Sequence, residues 1–90
     1  MVIHYNLLIR GQVQGVAYRA SAVDMAMRLG ITGYIKNNSD GTVSCEVEGE
    51  ENLMYKFVQW CHHGPVRAVV EHVSITGGEI KGYTSFEMRQ

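Results

Sequence analysis

The sequence predicts an α+β fold in the order β-α-β-β-α-β, with an antiparallel sheet covered on one face by both helices. Three observations predict it. Period-two alternation marks strands at the start, middle and end of the chain. Two segments without glycine or proline carry apolar residues at helical spacing. The two central strands are joined by a short polar turn, which makes them an antiparallel hairpin. At 90 residues the chain is read as one domain, 1–90, built on one core.

The elements follow in order. Ile3, Tyr5, Leu7 and Ile9 alternate with His4, Asn6, Leu8 and Arg10, so the first strand has one apolar face and His4 falls on the solvent side. Gly11–Arg19 reads as a loop. A helix from about 19 to 29 places Tyr18, Ala22, Met25, Ala26 and Leu29 on one stripe, and Gly30 stands where a C-terminal cap belongs. Ile31–Lys36 is the second strand, with Ile31, Gly33 and Ile35 inward. Asn37-Asn-Ser-Asp-Gly41 is a turn. In the third strand Val43, Cys45 and Val47 point in while Thr42, Ser44, Glu46 and Glu48 point out. Gly49–Asn52 breaks the pattern and supplies acidic residues to a helix start. The second helix, 53–62, buries Leu53, Met54, Phe57, Val58 and Cys61, and Gly64-Pro65 ends it. A β-branched run from Ala68 to Ile75 is the fourth strand, with room for a bulge near Glu71 and His72. Gly77–Gly82 reads as a flexible connection to a last strand carrying Thr84, Phe86 and Met88.

Composition narrows the function. A net charge of −1 with 19% charged residues gives no general attraction to nucleic acid or to a membrane surface, so any anion site is local. There is no secretory-signal pattern, and no apolar run approaches the ~20 residues of a membrane span. A cytoplasmic monomer is the expectation. Cys45 and Cys61 form no Cys-x-x-Cys pair, and neither they nor His4, His62, His63 and His72 show a metal-ligand spacing. No metal and no cofactor are expected. The cysteines read as buried thiols.

The loop Gly11-Gln-Val-Gln-Gly-Val-Ala-Tyr-Arg19 has two glycines, no carboxylate and a terminal arginine, and it runs into a helix. That is the makeup of a backbone anion cradle, although on shape alone such a loop can be a plain connection. Arg19 sits in the first helical turn, where a cation opposes the helix dipole by roughly 0.3–1 kcal/mol. An anion between the two removes the conflict; a solvated surface arginine is the plainer reading. Asn37 shares the parity of Ile31, Gly33 and Ile35 and so belongs on the helix-facing side, just beyond the core. There it meets the loop, or it only shapes the turn, a task Asn38 can perform as well.

So sparse a set of groups suits one kind of reaction. An ordinary phosphate ester needs a metal, a nucleophile or an acid for its alkoxide. A mixed anhydride of a carboxylic acid and phosphate leaves as a carboxylate, which needs no proton. Positioning a water and neutralising the phosphoryl oxygens then suffice. Spacing and composition are consistent with this chemistry without selecting it.

Gly11–Arg19, with Gly33-Tyr-Ile-Lys-Asn37, Asp40-Gly-Thr-Val43, the Gly64-Pro65 turn and Ala68-Val-Val70, resembles the acylphosphatases over essentially the whole chain. The resemblance implies a ferredoxin-like fold and metal-free hydrolysis of small-molecule acyl phosphates, with inorganic phosphate as product or inhibitor. It implies that Arg19 binds phosphate and Asn37 orients water. It also implies that Gln14, Gly15, Val16, Ala17, Tyr18 and Arg19 form the loop whose backbone N–H groups hold the phosphate. Tyr18, Tyr34 and Lys36 stand where phenylalanine, tryptophan and arginine are more usual in the family, and Pro65 where two prolines often occur. Two other readings compete. One is a ferredoxin-like binding module without activity, although the chain lacks the aromatic, basic sheet face of RNA-recognition domains and the Cys-x-x-Cys loop of copper chaperones. The other is a stand-alone relative of the acylphosphatase-like domain of carbamoyl-transfer maturation proteins.

Overall fold

The computed structural model describes residues 1–90. The chain runs β1 (Val2–Gln12), α1 (Tyr18–Leu29), β2 (Thr32–Asn37), β3 (Val43–Glu50), α2 (Glu51–His63), β4 (Val69–Gly78) and β5 (Phe86–Arg89). The five strands form one sheet in the order β4-β1-β3-β2-β5. β1, β2, β3 and β4 pair antiparallel, as the alternating pattern predicts, and both helices pack against the same side of the sheet. No helix is long and apolar enough to cross a membrane.

The core follows from the parity of the strands. Ile75, Leu7, Cys45, Ile35 and Met88 stand in one row across the sheet, and Val73, Ile9, Val43 and Asn37 in the row beyond it. The middle members of both rows are buried under Ala22 and Ala26 of α1 and Met54, Phe57, Val58 and Cys61 of α2. Alanines on α1 let that helix lie close to the sheet, while α2 supplies the bulk. Asn37 is thus the polar end of an apolar row, beside the strand that leads into the Gly11–Arg19 loop.

Two irregularities shape the sheet, one at the loop end and one at the start of β2. Between Arg10 and Gly11 the pairing with β4 slips, from Arg10 opposite His72 to Gly11 opposite Val70, so Glu71 is the extra residue of a bulge. Gly33, at φ 140°, comes so close to β3 that a Cβ would collide with the Glu46 carbonyl, and its N–H donates to the Ser85 carbonyl at 2.9 Å. Gly33→Ala is expected to cost about 2–3 kcal/mol, read as a lower urea midpoint.

The outer face departs from the alternation rule. His4 and Glu48, expected toward solvent, are buried at 3% exposure each. The cause lies outside either strand: the segment after β4 crosses over them. The backbone N–H groups of Lys81, Gly82 and Tyr83 donate to the Glu48 carboxylate at 2.5–3.2 Å, and His4 Nδ1 lies 2.7 Å from it. The stretch expected to be a flexible connection is therefore a strap fixed to the sheet, and Gly77 and Gly78 already belong to β4. Beside it, Glu46 accepts from Tyr34 and Tyr83 hydroxyls and from Lys81 Nζ, each at 2.8 Å. Thr42 is likewise buried rather than outward, with its hydroxyl donating to Asp40 Oδ1 at 2.6 Å. The expected break at Gly49–Asn52 is absent, because β3 continues to Glu50 and α2 starts at the next residue. The strap delivers β5 to the far edge of the sheet, where it pairs parallel with β2 and makes the sheet mixed.

Candidate active site

The loop between β1 and α1 begins after Gln12, which still pairs with Val69 two residues beyond the bulge. Gly15 has φ 73°, and Ala17, the N-cap of α1, has φ 64° with no side-chain cap. Ala17 is the one residue other than glycine with positive φ, a conformation that costs an L-residue roughly 1–2 kcal/mol. After β1 the first N–H to find a backbone carbonyl is that of Ser21, in the first turn of α1, which donates to Ala17 at 3.0 Å. The intervening N–H groups form the exposed donor end of α1, a place suited to an anion.

The loop is held from two sides. The Gln14 side-chain amide donates to the carbonyls of Asn38 and Thr42 at 2.8 and 2.9 Å, tying the loop to the β2–β3 turn. Tyr18 is buried, packs its ring 5.3 Å from that of Trp60 and donates its hydroxyl to the Cys61 carbonyl at 2.7 Å. Gly64 sits against the Tyr18 ring, where a Cβ would not fit. Burial pushes the Tyr18 hydroxyl far above the ordinary tyrosine range, so it is a fixed donor and not a base. Burial also raises both thiols, Cys61 to about 12 and Cys45 well above its usual value, and neither is poised as a nucleophile.

A cleft of about 190 Å³ opens at this end of the sheet. Gly15, Ala17, Arg19 and Asn37 line it, with Val13, Tyr18, Ala20 and Met88 as its apolar walls. Loop and strand residues separated by eighteen positions in the chain, Arg19 and Asn37, therefore face one space. Gln14 and Val16 are not among its walls: the Gln14 side chain is committed to the turn, and Val16 packs against the core. Arg19 is half-buried, and its Nη1 donates to the Arg89 carbonyl at 3.1 Å. This bond orients the guanidinium and leaves the rest of its five donors for a ligand.

The two asparagines divide the work left open by sequence. Asn38 donates to the Thr42 and Ser44 hydroxyls at 2.9 and 2.7 Å and so shapes the turn. Asn37 has no such task. Its Oδ1 is buried without a hydrogen-bond partner, the one such side-chain atom in the molecule. An unsatisfied buried acceptor costs about 1–3 kcal/mol, and here it borders the cleft that holds Arg19. A larger groove of about 510 Å³ crosses the outer face of the sheet near Asn6, Ser44 and Thr76, but it contains no unpartnered buried atom and no helix end. Met88 and the Arg89 carbonyl were not legible as parts of the site, because only the parallel pairing of β5 brings them there.

Known proteins share this fold and sequence pattern. The family model for Acylphosphatase matches residues 5–88. An acylphosphatase of Geobacter sulfurreducens is 42% identical over 90 residues, covering 99% of this chain and 99% of that protein. The crystal structure of acylphosphatase from Bacillus subtilis superposes with a TM-score of 0.95 at 30% identity, covering all of both chains. Full-length HypF, in a phosphate- and nucleotide-bound form, contains a similar unit: TM-score 0.93 and 28% identity over the whole of this chain but 12% of that one. With a match over nearly its full length in family, sequence and structure, the chain belongs to the acylphosphatase family.

Proposed function

We propose that the chain acts as a single-domain, cytoplasmic monomer that hydrolyses acyl phosphates to a carboxylate and inorganic phosphate, with Arg19 and Asn37 in the reacting roles. The phosphoryl group lies at the N-terminus of α1. Backbone N–H groups of the loop and the remaining guanidinium donors of Arg19 neutralise its oxygens. A water donates one hydrogen bond to Asn37 Oδ1 and attacks phosphorus in line. The new P–O bond forms as the bond to the acyl oxygen breaks. The acyl oxygen leaves as carboxylate and takes no proton. The water's proton passes to a phosphoryl oxygen, since no titratable side chain other than the cationic Arg19 and the fixed Tyr18 lines the cleft. Two buried thiols without a partner suit a reducing compartment.

The unpartnered Asn37 Oδ1 carries this reading, because an acceptor without a donor is what an attacking water completes. Asn37→Ala is expected to lower kcat about 10²-fold or more with a small change in KM, measured as phosphate release from a synthetic acyl phosphate. Full kcat in the variant would remove the water-positioning role, and absence of turnover by the folded wild type would favour the binding-module reading. The resemblance to the acylphosphatase-like domain of carbamoyl-transfer maturation proteins supports one variation, in which a carbamoyl phosphate is the substrate. Comparing its turnover with that of an aryl acyl phosphate separates the two.

A further inference from the structure

We propose that Met88 selects the acyl group, and that the preferred substrates carry a small apolar or aromatic acyl part with no second charge. The inference rests on the cleft being the phosphoryl site. Met88 stands opposite Ile35 in the β2–β5 ladder, on the helix-facing side. Two residues earlier on the same face, Phe86 packs 6.0 Å from the Phe57 ring in the core. Met88 lies one step beyond the core, 46% exposed, and lines the cleft. Its neighbour Arg89 faces the other way, with its guanidinium 4.0 Å over the Tyr34 ring. β5 therefore offers the cleft a thioether side chain and withholds its cation.

The charge inventory points the same way. Of the eight lysines and arginines, Arg19 alone lines the cleft, and the phosphoryl group occupies it. The exposed apolar side chains that line the cleft are Ala17, Ala20 and Met88. An acyl part bearing a carboxylate or a second phosphate would lose solvation against these methyl groups and gain no partner. An aromatic or aliphatic acyl part gains contact instead, and methionine, unbranched and polarisable, adapts to flat rings and short chains alike.

The test is a set of specificity ratios. Benzoyl phosphate, its para-carboxylate analogue and acetyl phosphate are compared by kcat/KM in the wild type and in Met88→Ala, Met88→Leu and Met88→Lys, with inorganic phosphate as a competitive inhibitor in each. The wild type should favour benzoyl phosphate over the carboxylate analogue by about 10-fold or more. Met88→Ala should lower the benzoyl-to-acetyl ratio by about 10-fold, Met88→Leu should restore most of it, and Met88→Lys should shift preference toward the carboxylate analogue. Ratios that do not move in these variants, while inorganic phosphate still inhibits, would overturn the role of Met88 alone. Failure of inorganic phosphate to inhibit the wild type would overturn the phosphoryl site and this proposal with it.

Discussion

Arg19→Ala is expected to lower kcat/KM for an acyl phosphate about 10²–10³-fold and to weaken inhibition by inorganic phosphate in parallel. The reason is that Arg19 is the one cation bordering the cleft, and the bond from its Nη1 to the Arg89 carbonyl fixes the guanidinium before any ligand arrives. Preorganised charge needs no reorientation as the transition state forms. Arg19→Lys should recover little, because an ammonium on a flexible stem cannot reproduce a planar two-pronged contact. The side chain is half-buried and makes one hydrogen bond, so the fold should survive, which a circular dichroism melt checks. Unchanged phosphate inhibition in Arg19→Ala would place the phosphate elsewhere.

Glu48→Ala should cost about 3–5 kcal/mol, a large part of the roughly 5–15 kcal/mol that holds a domain of this size together. The carboxylate accepts from His4 and from three successive backbone N–H groups of the strap, all in a buried setting. Removing it strands every one of those donors. Urea unfolding measures the loss; a change under 1 kcal/mol would mean that the strap is held by other contacts. The same group makes stability acid-sensitive. Burial opposes its ionisation, but the donors from Lys81, His4, Tyr83 and Gly82 outweigh burial and hold its pKa below the ordinary 4.5. For Glu46, burial is again outweighed, by Lys81, Tyr83 and Tyr34, and its pKa falls to about 2. Folded-state values below the unfolded ones mean a contribution that is full above about pH 4.5 and lost as pH falls toward 2. Glu48→Gln, which keeps the shape without the charge, should flatten part of that decline.

The arrangement of β1 to β4 and the helices was legible because each strand buries one face only, which makes period two a faithful record of inside and outside. The same rule misplaced His4 and Glu48. Both do face away from the helices, but alternation reports which face a side chain occupies and not what later crosses that face. Nothing in the composition of Glu79–Tyr83 reveals that its N–H groups converge on a carboxylate more than thirty residues earlier. The parallel edge strand was hidden for a related reason: its position depends on where the strap delivers it. At the site, parity placed Asn37 on the correct face and left its neighbour as a rival. The contacts of Asn38 with two hydroxyls, absent from any local pattern, separate them.

Gln14 does not itself line the cleft, yet its amide joins the loop before α1 to the β2–β3 turn through two carbonyls. The loop and the turn are consequently one cooperative opening unit and not two. When the turn frays, the cradle loses its shape, so local melting of the hairpin and loss of ligand affinity are the same event. The converse follows from linkage: an anion bound at the N-terminus of α1, as proposed, would make fraying of the turn rarer without touching it.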